Sequence, residues 1–355
     1  TREFYAEARK KLGPGGVLSF VLTGPENYIS GTFARFLASI VGTLREVFPE
    51  VAAIPGTSTV VLASDRPLSI DPAFLAARIS SLGLKTTYVS AAMLPFRLDP
   101  ARIDQLASAL RSAALKGTKI NRDLVPASYY FQSLLWAGQF GGLQAGLLQA
   151  AGQVPSFWFL EAPLLAAALA LALLGWGLRG RDSRFLVPVA IMGFTSIVVE
   201  VALLIAFQAN FGYVYGKIPL LLAAFMAGLV LGAALGRRRK RPGRADLPLV
   251  QLGFVLLLLI TYGALPGRGG EPTPFALLAL FGTLSGYLFI IANTLVQRDT
   301  AHPGLGYGVD LIASFAGAVF ASALIIPLFG IPALILRLAA LNALTFIFLL
   351  FTSSR

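Results

Sequence analysis

The sequence predicts two structures in series: an α/β segment of soluble type, then a polytopic α-helical membrane bundle of about seven helices. Three observations carry this. First, 56% of the 355 residues are hydrophobic, only 13% are charged, and mean hydropathy is +0.74. A soluble domain carries about 25% charged residues. Second, the deficit is local. Residues 1–123 have ordinary charge density, Leu124 to Leu160 carry no charge, and later charges fall mainly between apolar runs. Third, those runs occupy 157–178, 185–207, 214–236, 247–265, 274–296, 309–329 and 331–351. A span needs about 20 residues, so each is long enough.

The α/β segment reads in order. Residues 1–12 form a helix with Phe4, Tyr5, Ala8 and Leu12 on one face. Gly13-Pro14-Gly15-Gly16 stops it. Val17–Leu22 is a short apolar run, the pattern of a strand buried on both faces. Residues 31–48 are helical, with Phe33, Phe36, Leu37, Ile40, Leu44 and Phe48 as the core stripe. Val51–Ile54 and Thr59–Ala63 flank Pro55-Gly56-Thr57-Ser58 and read as a hairpin. Helices follow at about 72–83 and 100–115. The order is that of the closing portion of a doubly wound sheet, not a complete one.

Residues 124–156 link the two parts. Trp136, Phe140, Leu143, Leu147 and Ala151 form a helical stripe interrupted by Gln139, Gln144, Gln149 and Gln153. This is an interfacial amphipathic helix, the alternative being a weak eighth span. The bundle then occupies 157–355. Between two runs lies the cluster Arg237, Arg238, Arg239, Lys240, Arg241 and Arg244. Its placement reads as a cytoplasmic loop under the positive-inside rule, not as a nucleic-acid site, despite the net charge of +12. The expected partner is the lipid bilayer, and the expected location the plasma (inner) membrane. Seven spans place residues 1–155 outside the cytoplasm and eight place them inside. The chain opens Thr1-Arg2-Glu3 without Met or signal peptide, which leads us to expect an N-terminal part preceding it.

Chemistry is narrowly bounded. There is no cysteine, and His302, in a Pro/Gly loop, is the one histidine. Disulfides, thiolate sites, a His-built zinc site and a Ser-His-Asp triad are thereby excluded. The glycines at 13–16 follow a helix and open a strand, the reverse of a dinucleotide loop. No catalytic, cofactor-binding or metal residues are therefore assigned. The intramembrane polar candidates are Glu200, in the second span, and Asp310, opening the sixth. Ionisable groups in the bilayer cost about 2.5–3.5 kcal/mol on insertion scales and normally face the protein interior. Asp310 also reads as a helix N-cap. Gln208, Asn210, Tyr213 and Asn293 are candidates to join Glu200 in a polar cluster. Gly228, Gly232 and Gly236 fall on one helix face and read as a packing stripe.

Several stretches resemble the membrane-fused branch of the spermidine synthase (polyamine aminopropyltransferase) family. They are Glu3-Phe4-Tyr5 with Leu12-Gly13-Pro14-Gly15-Gly16-Val17-Leu18, Pro25-Glu26-Asn27-Tyr28, Val47-Phe48-Pro49 with Pro55-Gly56, and Leu62-Ala63-Ser64-Asp65. Further on come Asn121–Pro126 leading to Tyr129-Tyr130 and Trp136, then Ala224–Gly228, Tyr307–Leu311 and Ile326–Gly330. The resemblance implies that residues 1–123 are the C-terminal part of a Rossmann-like methyltransferase-type domain. It implies decarboxylated AdoMet as co-substrate of the full-length protein and a polyamine or other small molecule as substrate. It also implies a cytoplasmic soluble domain. The family's nucleotide loop, ribose-binding acid and catalytic aspartate precede the strand at 17–22, so no catalytic residue carries over. The Tyr-Pro-Ser-Gly stretch of many soluble members is replaced by Ile54-Pro55-Gly56-Thr57-Ser58. The competing expectation is a multi-pass transporter or membrane scaffold with a degenerate synthase-like domain.

Overall fold

The computed structural model describes the chain except residues 25–28, 87–88, 116, 118, 141–142, 179–180, 213–214, 240–242, 266, 299–301, 303 and 354–355. Pro25–Tyr28, Tyr213, Lys240 and Arg241 thus lie outside the described residues. The chain forms two compact units, Thr1–Gln149 and Ala150–Arg355.

The first unit runs α1 (Arg2–Lys11), β1 (Val17–Thr23), α2 (Gly31–Arg45), β2 (Glu50–Ile54), β3 (Ser58–Ser64), α3 (Pro72–Ser81), α4 (Leu94–Arg97), α5 (Pro100–Leu115) and α6 (Ala127–Phe140), with α7 (Leu143–Ala151) at its end. Local chemistry sets several boundaries. Ser30 caps α2 through its hydroxyl and Asp71 caps α3 through its carboxylate. The helix expected to reach residue 48 stops at Arg45. Pro49 disfavours helical geometry at the residue before it, and Phe48 enters the core from the loop instead.

The sheet has the order β1-β3-β2, with β3 antiparallel to both neighbours. The expected hairpin is β2–β3. β1 corrects the expectation of a strand buried on both faces. It is an edge strand in which Leu18, Phe20 and Leu22 join the core while Val21 is 60% exposed. Its apolar run conceals a one-sided strand. The core lies between that face and α2, around Phe33, Leu37, Leu44, Val61, Ala63 and Leu106. Tyr5 joins it, and burial pushes its phenol up to about 12. Ser39 donates to the Lys119 carbonyl (2.6 Å), and Thr43 Oγ1 accepts from the Asn121 N–H (2.9 Å). These bonds strap the chain after α5 onto α2.

The region read as one helix over 134–155 holds two helices, α6 and α7. Tyr130, Leu134 and Ala137 form the buried face of α6, which packs on α2, and the Tyr130 hydroxyl donates to the Leu148 carbonyl (3.0 Å). Trp136 and Leu147 are exposed. At 1.5 Å per residue, neither helix alone covers a ~30 Å hydrocarbon core.

The second unit contains, among the described residues, seven helical segments long and apolar enough to cross a membrane. The first, Ser156–Gly177, is α8 (Ser156–Leu160) with α9 (Ala162–Gly177); the second, Asp182–Phe211, is a short turn leading into α10 (Leu186–Phe211). Then come α11 (Ile218–Arg238), α12 (Asp246–Ala264) and α13 (Pro272–Val296). The sixth, Leu305–Phe329, is α14 (Leu305–Phe320), a π turn at Ala321–Ile325, and α15 (Ile326–Phe329); the seventh is α16 (Ile331–Ser353). Outward faces carry Leu165, Leu169 and Trp176 on α9, and Ile312 and Phe315 on α14. Hydrocarbon, not water, accommodates such surfaces.

Alternating directions give the bundle a basic end, with the segments 179–184, 237–246 and 297–304, and an opposite end. At the basic end Arg244 pairs with Asp182 (2.8 Å) and Arg239 with Asp246 (2.9 Å). At the opposite end Glu271 engages Lys217, so the few charges there partly cancel. Arg337 of α16 pairs with Glu161 of the first span (2.8 Å).

Candidate functional site

The candidate site is the polar interior of the bundle. α10 lies at its centre and packs against α11, α13, α14 and α16. Its length and unbroken apolar character make it a span, but Gly193, Thr195, Ser196 and Glu200 interrupt the hydrocarbon in mid-helix.

Thr195 and Ser196 are adjacent and so project about 100° apart. Each finds a different partner. Gln251 Nε2 of α12 donates to Asn342 Oδ1 of α16 (2.6 Å), and Asn342 Nδ2 donates to Thr195 Oγ1 (2.9 Å) and to the Leu338 carbonyl (2.8 Å). All three side chains are fully buried, so one chain of amides ties the fourth, seventh and second spans. Gln251 Oε1 has no partner among the described residues. On the other side Ser196 Oγ and Ser285 Oγ are 2.7 Å apart. Ser285 gives its proton to the Phe281 carbonyl, so Ser196 is the donor between them.

Glu200 is 7% exposed and makes no hydrogen bond or ion pair among the described residues. It lies seven residues beyond Gly193, hence on nearly the same face of α10. Gly193 is where Asp310 packs: an added Cβ would collide with the Asp310 carboxylate and meet Ser314 Oγ at 3.0 Å. Asp310 lies within α14, the helix being capped at Gly304. This corrects the N-cap expectation, since the carboxylate is more than a turn past the cap position. Asn293, near the end of α13, presses its Oδ1 on Gly306, and that oxygen has no hydrogen-bond partner among the described residues.

Gln208 stands two turns beyond Glu200, towards the opposite end, and Asn210 beyond it donates to the Leu265 carbonyl (3.0 Å). Of the residues named with Glu200, Asp310 and Asn293 thus lie towards the basic end, and Gln208 and Asn210 towards the other. Thr195, Ser196, Gln251, Ser285 and Asn342 were not singled out from sequence. A single polar residue within an apolar run was the one available signal.

The glycines of α11 face α13. Added Cβ atoms at Gly228 and Gly232 would strike the Ala279 and Thr283 carbonyls, while Gly236 meets the Ile290 side chain at 3.0 Å. Gly282 and Gly286 of α13 return the contact against the Phe225 and Leu229 carbonyls.

No family model matches the chain, and no solved structure does. A curated protein that does match is a polyamine aminopropyltransferase from Nitrosomonas europaea, 38% identical over 89 residues. The match covers 24% of this chain, which spans about a quarter (27%) of that protein's length. The likeness supports a distant spermidine synthase-like relationship.

Proposed function

We propose that this chain is the C-terminal piece of an integral membrane aminopropyltransferase-like protein acting in polyamine metabolism. In this reading residues 1–123 are the last third of a Rossmann-like methyltransferase-type domain, 124–156 a linker and 157–355 the anchoring bundle. The observation that carries it is the 38% identity to a polyamine aminopropyltransferase. The topology agrees. β1 and β2 both oppose β3, so they run parallel to each other, and α2 connects them. A helix crossing between parallel strands is the building unit of doubly wound sheets.

The chemistry is attack by an amine nitrogen on the carbon next to a sulfonium. A C–N bond forms, the C–S bond breaks, the thioether leaves and the amine proton passes to a base. We assign neither that base nor a nucleotide site to this chain. The full-length protein in detergent, given decarboxylated AdoMet and a short diamine, should release thioether and aminopropylated diamine in equal amounts by mass spectrometry. A folded, inactive full-length protein would sink the reading. The 355-residue chain alone should show no saturable binding of decarboxylated AdoMet by calorimetry.

A second reading is a transporter or scaffold, and Glu200 favours it. A carboxylate held in mid-span is costly unless it has a role. Diamine uptake into proteoliposomes that is lost in Glu200→Gln would support this reading.

A further inference from the structure

Glu200 and Asp310 lie along one seam between α10 and α14. α10 and α14 start from the basic end and pack parallel. Their contacts advance in step: Gly193 against Asp310 and Ser314, then Phe194 and Ile197 against Gly317. The next turn brings Glu200 to the level of Ala321, where the π turn begins and packs on α10. Ser196 marks the direction of α13 from α10, and Gly193 and Ile197 that of α14. At 100° per residue Glu200 projects between the two. Asp310 and Glu200 are separated along the axis by roughly 10 Å, seven residues of α10.

The groups known along this seam are rich in acceptors. From the basic end they are Asn293 Oδ1, which has no hydrogen-bond partner among the described residues, the Asp310 carboxylate beside Ser314, and Glu200. Among the described residues on elements packed against α10, no basic group bonds to Glu200 or Asp310. Arg337 is engaged by Glu161, Arg237 and Arg238 end α11 at the basic end, and the Arg184 guanidinium lies over the Phe185 ring there (4.9 Å). Tyr287 of α13 lies against α11, and Tyr307 of α14 faces outward. The seam also passes a helix interruption. Pro327 lacks an N–H, and its ring would clash with the Ala323 carbonyl in an unbroken α-helix; the π turn Ala321–Ile325 accommodates it. Buried carboxylates beside broken helices are a recurring means of holding cations in a bilayer.

The geometry points to a monovalent-cation site at Glu200, reached along the seam past Asp310. The ligand class is a proton or an alkali-metal ion, since Gly193 packs too closely on Asp310 for a larger species to pass. This goes beyond both readings of function and holds whichever is correct, because its assay involves neither aminopropyl transfer nor uptake.

The full chain in detergent is melted in sodium, potassium and choline chloride at equal ionic strength, and in choline across a pH series. An alkali-metal site raises Tm saturably over choline, by roughly 3 °C or more. A proton site instead raises Tm on acidification in choline. Either dependence supports the proposal if it is lost in Glu200→Gln, reduced in Asp310→Asn and kept in Glu161→Gln. Absence of both dependences, or full retention in Glu200→Gln, overturns it. Should Glu200→Gln not fold, infrared difference spectra of the wild type and Asp310→Asn decide. A buried carboxyl signal that changes with sodium or pH supports the site, and an invariant one overturns it.

Discussion

Replacing Gly232 by alanine tests how the third and fifth spans are held together. A Cβ there would lie 2.8 Å from the Thr283 carbonyl carbon and 2.8 Å from the Tyr287 nitrogen, and closer still to the Thr283 oxygen. Carbon contacts are comfortable only at about 3.5–4.0 Å. These neighbours are backbone and cannot rotate away, so α11 and α13 must part by about 1 Å. Overpacking of this kind costs about 1–3 kcal/mol, and each kcal/mol lowers Tm by roughly 2–4 °C in a unit of this size. Gly228→Ala should behave alike. The two together should be less than additive, because the first separation relieves the second. Gly236→Ala meets the Ile290 side chain closely, which can shift, and the Tyr287 carbonyl at an ordinary 3.4 Å, so it should cost under ~1 kcal/mol. Gly263 of α12 has nothing within 4 Å, so alanine there should be neutral or stabilising by up to ~1 kcal/mol. Thermal unfolding in detergent, followed by tryptophan fluorescence, ranks the four. If Gly232→Ala melts no lower than Gly263→Ala, the close approach of the two backbones does not contribute as argued.

Four further outcomes follow from other parts of the chain. Asn342→Leu strands Gln251 and Thr195 in the interior and should cost about 1–3 kcal/mol; adding Gln251→Leu should recover part of the lost Tm. Gly330 holds φ 85° and ψ 168°, a region open essentially to glycine, so Gly330→Ala should cost about 1–3 kcal/mol by the same melt. The Tyr5 phenol is raised from 10.0 to about 12, so its contribution to stability is complete below pH 10 and is lost as pH rises towards 12. Alkaline unfolding of the first unit, followed by phenolate absorbance, should therefore weaken its pH dependence in Tyr5→Phe. For topology, single cysteines at Ser80 and Ser183 report whether the first unit shares a side with the basic end: seven spans leave Ser80 alone open to an impermeant maleimide in intact cells, and protection of both until permeabilisation would require an eighth crossing. Ser285, fully buried, is the unreactive control, and labelling of Ser80 alone in intact cells would place the first unit outside.

The spans were legible because each is a sustained run whose flanks carry prolines, glycines or charge. That signal needs no partner. The same holds for α1, α2 and the β2–β3 hairpin, where period and turn residues agree. β1 was misread because an apolar run does not say whether both of its faces are covered. The N-cap expected at Asp310 failed because α14 begins a turn earlier, at Leu305. The interior hydrogen bonds could not be read at all. Gln251 and Asn342 are 91 residues apart, and Asn342 and Thr195 are 147 apart. Each sits singly in hydrocarbon-like sequence, and only the packing of three spans brings them together.

The turn between the sixth and seventh spans bears on how the protein is made. Only Gly330 separates α15 from α16, and residues 305–352 contain two charges, Asp310 and Arg337. During synthesis no hydrophilic loop has to be translocated at this corner. The two segments can therefore enter the lipid as one hairpin, with their orientation left to the charges that flank the pair. Neither need be a stop-transfer signal by itself. Added charge at residue 330 would do more than strain a turn: it would force a polar group across the membrane in every insertion event, and the yield of inserted protein would fall before any folded molecule existed to be destabilised.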